Sequence, residues 1–137
     1  MTEATGDTVY VNLNEFLVIA ARLLDAEVAA VRHQADLGLA DSALHAPQAG
    51  FGDTEFYPCL VDKAAVLCWH IAKNHPLPDG NKRAAFTTMI VFLRRNGARW
   101  QIPDEDDAVE VVNAVAAGQM TVEDLTTWVA EHSDLPD

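Results

Sequence analysis

The sequence predicts an all-α fold, a compact bundle of about six helices with a flap-like loop or short hairpin. Three observations support this prediction. Apolar side chains recur every three or four residues along most of the 137-residue chain, which is the period of an amphipathic helix. Helix-start boxes precede some of these runs. Half of the residues are hydrophobic, which is enough for one buried core. We expect a single domain over residues 1–137, with its first few and last few residues loose.

The first half of the chain predicts helical segments followed by a loop. Asn12 and Glu15 form the first helix-start box, and the apolar residues after them follow helical spacing. The segment 25–33 is expected to continue that helix, and the segment 36–44 to form a short one. The sequence APQAGFGDTEFYP, residues 46–58, then predicts the longest loop, because proline and glycine interrupt regular structure there.

The second half predicts four helices. A long helix covers about residues 58–73, and another covers about residues 81–95. Two prolines between them forbid one continuous helix. The segment ARWQIP, residues 98–103, is predicted to be a short strand or an extended link. An acidic stretch starts a helix that ends near Gly118, and a second start box begins a last helix that runs through Trp128.

The charge balance narrows the classes of function. A formal net charge of −12 argues against general nucleic-acid binding and against docking on an anionic membrane, both of which need clustered positive charge. The first residues lack the pattern of a secretory signal, and the most apolar run, residues 84–93, is too short to span a bilayer. Cys59 and Cys68 are expected to be reduced and mostly buried. We therefore expect a soluble cytoplasmic protein.

One segment, HPLPDGNKR at residues 75–83, has the composition of a phosphate-binding loop. Its prolines break the chain just before a predicted helix, and the free N–H groups of a helix N-terminus attract phosphate. Gly80 removes a side chain where the backbone must approach the anion. Lys82 and Arg83 add positive charge, and a guanidinium binds two phosphate oxygens at once. The pattern predicts a site for the phosphates of a nucleotide.

Two further side chains in this segment suit catalysis. Asp79 offers a hard oxygen ligand for a Mg²⁺ ion that also contacts phosphates, and His75 is of the type that takes up a proton near neutral pH. Each has an ordinary alternative, since His75 could be a loop residue and Asp79 a helix N-cap. Six specified residues in a nine-residue window occur by chance about once in 10⁷ windows. The joint pattern therefore favours an active site.

These residues resemble the signature of the Fic/Doc superfamily. Fic proteins carry HPFxxGNGRxxR, and Doc proteins carry HxFxxxNKR. Lys82 stands where Fic proteins have their second glycine, and Phe86 stands where they have their second arginine, so the loop is more similar to the Doc branch. The resemblance extends over LADSALHAPQAGFG (residues 39–52), YPCLVDKAA and AKNHP, and covers nearly the whole chain from about Val9.

Two positions depart from the family pattern. Leu77 replaces the usual phenylalanine of the loop motif. If this side chain anchors the loop in the core, leucine is a tolerable but smaller anchor. The sequence before Pro47 also lacks an arginine that is often found there, so any contact made by that arginine does not carry over.

The resemblance implies a toxin of a toxin–antitoxin pair. Such a Doc-like kinase transfers the γ-phosphate of ATP, with Mg²⁺, to a threonine of elongation factor Tu and so blocks translation. Lys82 would crowd the Fic pocket for the terminal phosphates, so that an inverted nucleotide presents its γ-phosphate. By position, His75 would accept the proton of the hydroxyl, Asp79 would hold Mg²⁺, and Asn81 would help to position the phosphates. The implied catalytic residues are His75, Asp79, Asn81, Lys82 and Arg83, and the implied nucleotide-binding residues are Gly80, Asn81, Lys82 and Arg83.

The resemblance also implies a protein partner. An antitoxin would bind through a disordered segment that folds into a groove of the toxin. The loop at residues 47–57 has two interpretations. It is either a flap that holds the target peptide beside His75, through Gln48, Phe51 and Gly52, or an ordinary connection between helices.

Three other functions compete with the kinase. Transfer of AMP to a protein hydroxyl is disfavoured by the missing second glycine and second arginine. A non-catalytic module that binds an antitoxin and helps to repress their operon is disfavoured by the intact His75 and Asp79. A metal hydrolase is remote, since the sequence has no HExxH-like spacing.

Overall fold

Seven α-helices and two short antiparallel strand pairs make up the computed structural model, which describes residues 8–101 and 105–135. The helices are α1 (Leu13–Leu24), α2 (Val28–Gln34), α3 (Leu37–His45), α4 (Leu60–Asn74), α5 (Asn81–Arg95), α6 (Glu105–Ala116) and α7 (Val122–Glu131). The strands are β1 (Gly50–Phe51), β2 (Thr54–Glu55), β3 (Arg99–Trp100) and β4 (Ser133–Asp134), and a 3₁₀ helix (Ala46–Gln48) precedes β1. The predicted all-α class is confirmed. The expectation of a loose start, and part of the predicted extended segment 98–103, fall outside the described residues.

Helix α4 forms the centre of the fold. Most of its residues are buried, because α3, α5, α6 and α7 all pack against it. Cys68 lies on this helix, and burial raises the pKa of its thiol to about 12. None of the helices in the described part of the chain has the length and apolar character needed to cross a bilayer.

Local capping explains where the first helices begin and end. The predicted start box is confirmed, since Asn12 Oδ1 accepts a hydrogen bond from the N–H of Glu15 at 2.9 Å and Glu15 Oε1 accepts one from the N–H of Asn12 at 3.1 Å. Helix α1 ends where Asp25 adopts a left-handed backbone conformation with φ 51°. The expected continuation of this helix through residues 25–33 is therefore wrong, and Val28 begins a separate helix.

The end of the described chain is tied to the helices. Strands β3 and β4 pair with Trp100 opposite Ser133. Trp128 on α7 packs its ring against that of Trp100, with the centroids 5.5 Å apart. Helix α7 also runs past its predicted end at Trp128, as far as Glu131. Ser133 and Asp134, which lie in the end that was expected to be loose, are paired with β3.

The predicted loop at residues 46–58 contains a short hairpin. Strands β1 and β2 pair with Gly50 opposite Glu55, and the turn between them uses a left-handed Gly52 with φ 60°. Its residues are exposed, and Phe51 has 84% of its surface accessible. The hairpin stands shortly before the N-terminal end of α4.

A buried lysine connects this hairpin to the helices. Lys63 on α4 is fully buried, and its Nζ donates to Glu55 Oε1 at 2.8 Å and to the carbonyl oxygen of Pro47 at 3.2 Å. Burial alone lowers the pKa of Lys63, but the neighbouring Glu55 and Tyr10 raise it by more. The net pKa lies above the ordinary value of 10.5, so the ammonium group stays charged.

We expect Lys63→Met to lower the free energy of unfolding by about 2–3 kcal/mol, because it removes two hydrogen bonds made by a buried charge. The matched variant Lys82→Met, at an exposed lysine, should change it by less than about 0.5 kcal/mol. Because the folded-state pKa of Lys63 is raised, its contribution is present below pH 10.5 and is lost as pH rises through the folded value. Urea unfolding at neutral and alkaline pH measures both effects, and equal stability of the two variants at pH 7 would contradict this role.

Candidate active site

The predicted phosphate-binding loop connects the C-terminal end of α4 to the N-terminal end of α5. His75 caps α4 in a left-handed conformation with φ 50°, and its N–H donates to the carbonyl oxygen of Ile71 at 3.3 Å. Gly80 precedes α5, also left-handed, with φ 77°. The two left-handed residues let the chain reverse direction between the helices. A non-glycine residue with this φ is uncommon, so His75 is held in a conformation that it rarely adopts.

The middle of the loop is fixed by contacts on both sides. The side chain of Leu77 is only 5% exposed and belongs to the main apolar core, as expected for an anchor of the loop. Asn81 Oδ1 accepts from the N–H of Leu77 at 2.9 Å, and Asn81 Nδ2 donates to the carbonyl oxygen of Leu77 at 2.8 Å. On the other side, the carbonyl oxygen of Pro76 accepts from the N–H of Asp36, the residue that caps α3, at 2.8 Å.

An open cleft of about 280 Å³ lies at this loop. All six residues that the sequence predicted for the site line it, together with one proline. The lining residues are His75, Pro78, Asp79, Gly80, Asn81, Lys82 and Arg83. The side chains of His75, Asp79, Lys82 and Arg83 are exposed to solvent. Both the predicted catalytic set and the predicted nucleotide-binding set are thus brought together in one cleft.

The cleft has the donors that a phosphate requires. The first intrahelical bond of α5 runs from the N–H of Ala84 to the carbonyl oxygen of Gly80, so the N–H groups of the three preceding residues have no acceptor within the helix. Gly80 has no side chain to cap them, and a Cβ there would lie 3.0 Å from Leu24 Cδ2. Among the described residues, no carboxylate lies within ion-pair distance of Lys82 or Arg83. In a protein of net charge −12, these two cations remain available to an anionic ligand.

The cleft offers one carboxylate to a metal ion. Residues 8–101 and 105–135 contain no group of three or more His, Cys, Asp or Glu side chains arranged to hold a metal. Asp79 therefore does not form a preformed metal cage. A single carboxylate fits Mg²⁺ chemistry, because this ion is usually held by one or two carboxylates together with water and the phosphates of the substrate. The donor set fits a metal that arrives with a nucleotide.

Two grooves that the sequence analysis missed flank the cleft. The first, of about 320 Å³, shares Lys82 and Arg83 with the cleft and is mostly apolar. Its other lining residues are Leu23 from α1, Phe86 and Thr87 from α5, and Ala108, Val109, Val112 and Asn113 from α6. The second, of about 340 Å³, shares Pro78 and Asp79 with the cleft and is lined otherwise by Leu24, Ala26, Ala30, Val31 and Gln34. Helical spacing of the α5 and α6 residues was a signal that could have marked the first groove.

The residues of the predicted flap are not part of the cleft. Gln48, Phe51 and Gly52 precede the N-terminal end of α4, whereas His75 caps its C-terminal end. The 15 residues of α4 span about 22 Å between the two ends. The segment beside the cleft is instead α2 with its flanking residues, through the second groove. Binding of a target by the hairpin stays a prediction.

Comparison with known proteins identifies a family that has this helical fold and this loop. A family model described as Fic/DOC family matches residues 10–93, which include the whole loop and most of α5. The chain belongs to the Fic/DOC family. The matched part of this Fic/DOC protein contains every residue that lines the cleft.

Two curated relatives are similar to this Fic/DOC protein. It is 38% identical over 96 residues to "Toxin Doc" of Mycolicibacterium smegmatis (strain ATCC 700084 / mc(2)155), an alignment that covers 69% of this chain and 74% of the relative. It is 32% identical over 63 residues to "Protein kinase doc" of Escherichia phage P1, which covers 46% of this chain and 48% of that protein. The predicted membership of the Doc branch is confirmed.

Proposed function

We propose that the protein is the toxin of a toxin–antitoxin pair and acts as a Doc-type protein kinase. It transfers the γ-phosphate of ATP to a hydroxyl group of a protein, and we propose a threonine of elongation factor Tu as the acceptor. The observation that carries the proposal is the cleft that joins a basic helix N-terminus, an exposed carboxylate and an exposed imidazole. Phosphoryl transfer needs mainly positioning and charge stabilisation, which these groups supply.

In this proposal the phosphates bind at the start of α5. The N–H groups of its first turn, with the side chains of Lys82 and Arg83, stabilise negative charge on the transferred phosphoryl group. Asp79 would hold Mg²⁺ together with the phosphate oxygens, and the ion, when bound, neutralises part of their charge. His75 accepts the proton of the attacking hydroxyl. A bond forms between the hydroxyl oxygen and the γ-phosphorus, the bond from that phosphorus to the bridging oxygen breaks, and ADP leaves.

The surroundings of residue 86 favour transfer of the terminal phosphate over transfer of AMP. Fic proteins carry an arginine at this position, whereas Phe86 packs its ring against Trp100 and Trp128, with centroids 5.6 and 6.2 Å away. This position is therefore apolar and gives no cation to a phosphate. Lys82 instead supplies a long cationic side chain where Fic proteins have glycine.

We also propose an antitoxin as the partner. The name of the relative "Toxin Doc" and the resemblance of the loop to Doc proteins support this part. A module that only binds an antitoxin is the alternative from another class, and the exposed His75 and Asp79 in a formed cleft argue against it.

Labelled ATP separates these functions. The protein is incubated with purified elongation factor Tu, Mg²⁺ and ATP labelled at either the α- or the γ-phosphate. We expect label on the factor only from γ-labelled ATP. Label from the α-phosphate would replace the kinase by AMP transfer. No label from either source, while the protein still binds ATP, would reject elongation factor Tu as the target. An unrelated protein of similar size serves as the control acceptor.

A further inference from the structure

The geometry of the loop points to Asn81 as a positioning residue. We infer that its main role is to hold the loop of residues 75–80 in one conformation, and not to bind the phosphates. This role is called the lock below. The inference deepens the proposed function and rests on it for the effect on catalysis. Its basis is the pair of hydrogen bonds from one side-chain amide to both backbone groups of Leu77, at 2.9 and 2.8 Å.

Leu77 lies in the middle of the loop, between two residues of restricted backbone conformation. Pro76 and Pro78 flank it, and proline rings fix their own φ angles. Between the left-handed residues His75 and Gly80, Leu77 is therefore one of few residues with rotational freedom. Its side chain is fixed by burial and its backbone by Asn81. Holding this one residue fixes the path of the whole loop.

The lock acts on the two groups that the proposed chemistry uses. His75 lies two residues before Leu77 and Asp79 lies two residues after it, and both side chains reach the cleft. If Leu77 rotates, the distance between the imidazole and the carboxylate changes. A misplacement of about 1 Å in such a site costs about 100-fold in rate. The orientation of the amide also follows from the contacts, because only this orientation satisfies both the N–H and the carbonyl of Leu77.

The structure contains a matched control for the lock. Asn96, at the end of α5, makes the same pair of contacts with another residue, accepting from the N–H of Val9 at 2.8 Å and donating to its carbonyl oxygen at 2.9 Å. Asn96→Ala removes an equivalent amide pair at the opposite end of the helix, outside the cleft. It should leave both Leu77 and phosphate transfer unchanged.

Hydrogen exchange at the backbone amide of Leu77 tests the lock directly, in the protein without nucleotide. Proline has no N–H, so Leu77 carries the single exchangeable backbone amide of residues 76–78. We expect Asn81→Ala to speed exchange of this amide by at least about 10-fold. Asn81→Asp keeps an acceptor for the N–H and should keep the exchange within about 3-fold of the natural protein. Lys82→Ala should not alter it.

Kinetics and binding then distinguish a lock from a phosphate ligand. We expect Asn81→Ala to lower kcat about 100-fold while the Kd for ATP changes by less than about 3-fold. A Kd raised about 10-fold, with unchanged exchange at Leu77 and unchanged kcat at saturating ATP, would overturn the inference and make Asn81 a phosphate ligand. If the natural protein transfers no phosphate, the proposed function fails. The exchange result alone then shows whether Asn81 holds Leu77 in place.

Discussion

Replacing His75 by asparagine should lower the rate of γ-phosphate transfer by about 10²–10⁴-fold, the usual contribution of a general base. Among the residues that line the cleft, histidine is the type that exchanges protons near neutral pH. Its side chain is exposed in the cleft, next to the helix N-terminus proposed to hold the phosphates. Without it, the hydroxyl of the target must lose its proton to water.

The choice of asparagine follows from the backbone. His75 has φ 50°, a conformation in which asparagine is more favourable than alanine. His75→Asn should therefore keep the fold, and His75→Ala should show the same loss of activity with a somewhat lower stability. His45→Asn, at an exposed histidine outside the cleft, is the matched control and should keep full activity. Initial rates at saturating ATP and thermal unfolding measure the two effects, and a folded His75→Asn protein with normal rates would remove His75 as the base.

The site could be predicted because its residues are close together in the chain. His75 and Arg83 are separated by only seven residues, so one loop and one helix start bring the whole set into a single cleft. The resemblance to the family motif suggested Leu77 as an anchor, and its side chain lies in the core. The hydrogen bonds of Asn81 could not be predicted, because the sequence does not show which backbone groups a side-chain amide contacts.

The features that the sequence did not predict depend on distant segments. Both grooves beside the cleft need helices from elsewhere, α6 for the first and α2 for the second. A short strand or extended link was predicted over residues 98–103, but its pairing with β4, which joins Trp100 to Ser133, was not, because no local pattern identifies so distant a partner. For the loop at residues 47–57 the sequence left two interpretations open, a flap beside His75 or an ordinary connection between helices. The choice between them depends on where α4 places the hairpin relative to the cleft, which no local pattern shows.

The burial of Lys63 was equally hard to predict from the sequence, because its partners come from another segment. A lysine in a helix is normally read as a solvent-exposed position, since charged residues are rarely buried without a partner. Here the partners, Glu55 and the carbonyl of Pro47, come from the hairpin and the 3₁₀ helix before it. The helical spacing of α4 places Lys63 among apolar residues, but it does not show which groups bind the lysine.

Replacing Asp79 by alanine should lower the transfer rate by at least about 10³-fold, because a bound metal supplies several kcal/mol of charge stabilisation at a phosphoryl group. Asp79→Asn keeps one oxygen ligand and should lose less. Asp79 is exposed, so neither change should alter the free energy of unfolding by more than about 0.5 kcal/mol. Glu123→Gln removes an exposed carboxylate from α7, outside the cleft, and should leave the rate unchanged.

A binding measurement separates a metal ligand from a residue that only shapes the loop. Mn²⁺, which can be followed by its electron paramagnetic resonance, should bind with ADP to the natural protein and to Glu123→Gln. It should bind more weakly to Asp79→Asn, and weakest to Asp79→Ala, because one carboxylate holds the ion only together with phosphate oxygens. Without nucleotide, all four proteins should bind it weakly, since the described residues form no preformed cluster. Equal Mn²⁺ affinity of the natural protein and Asp79→Ala in the presence of ADP would show that Asp79 does not hold the metal, even if transfer is lost.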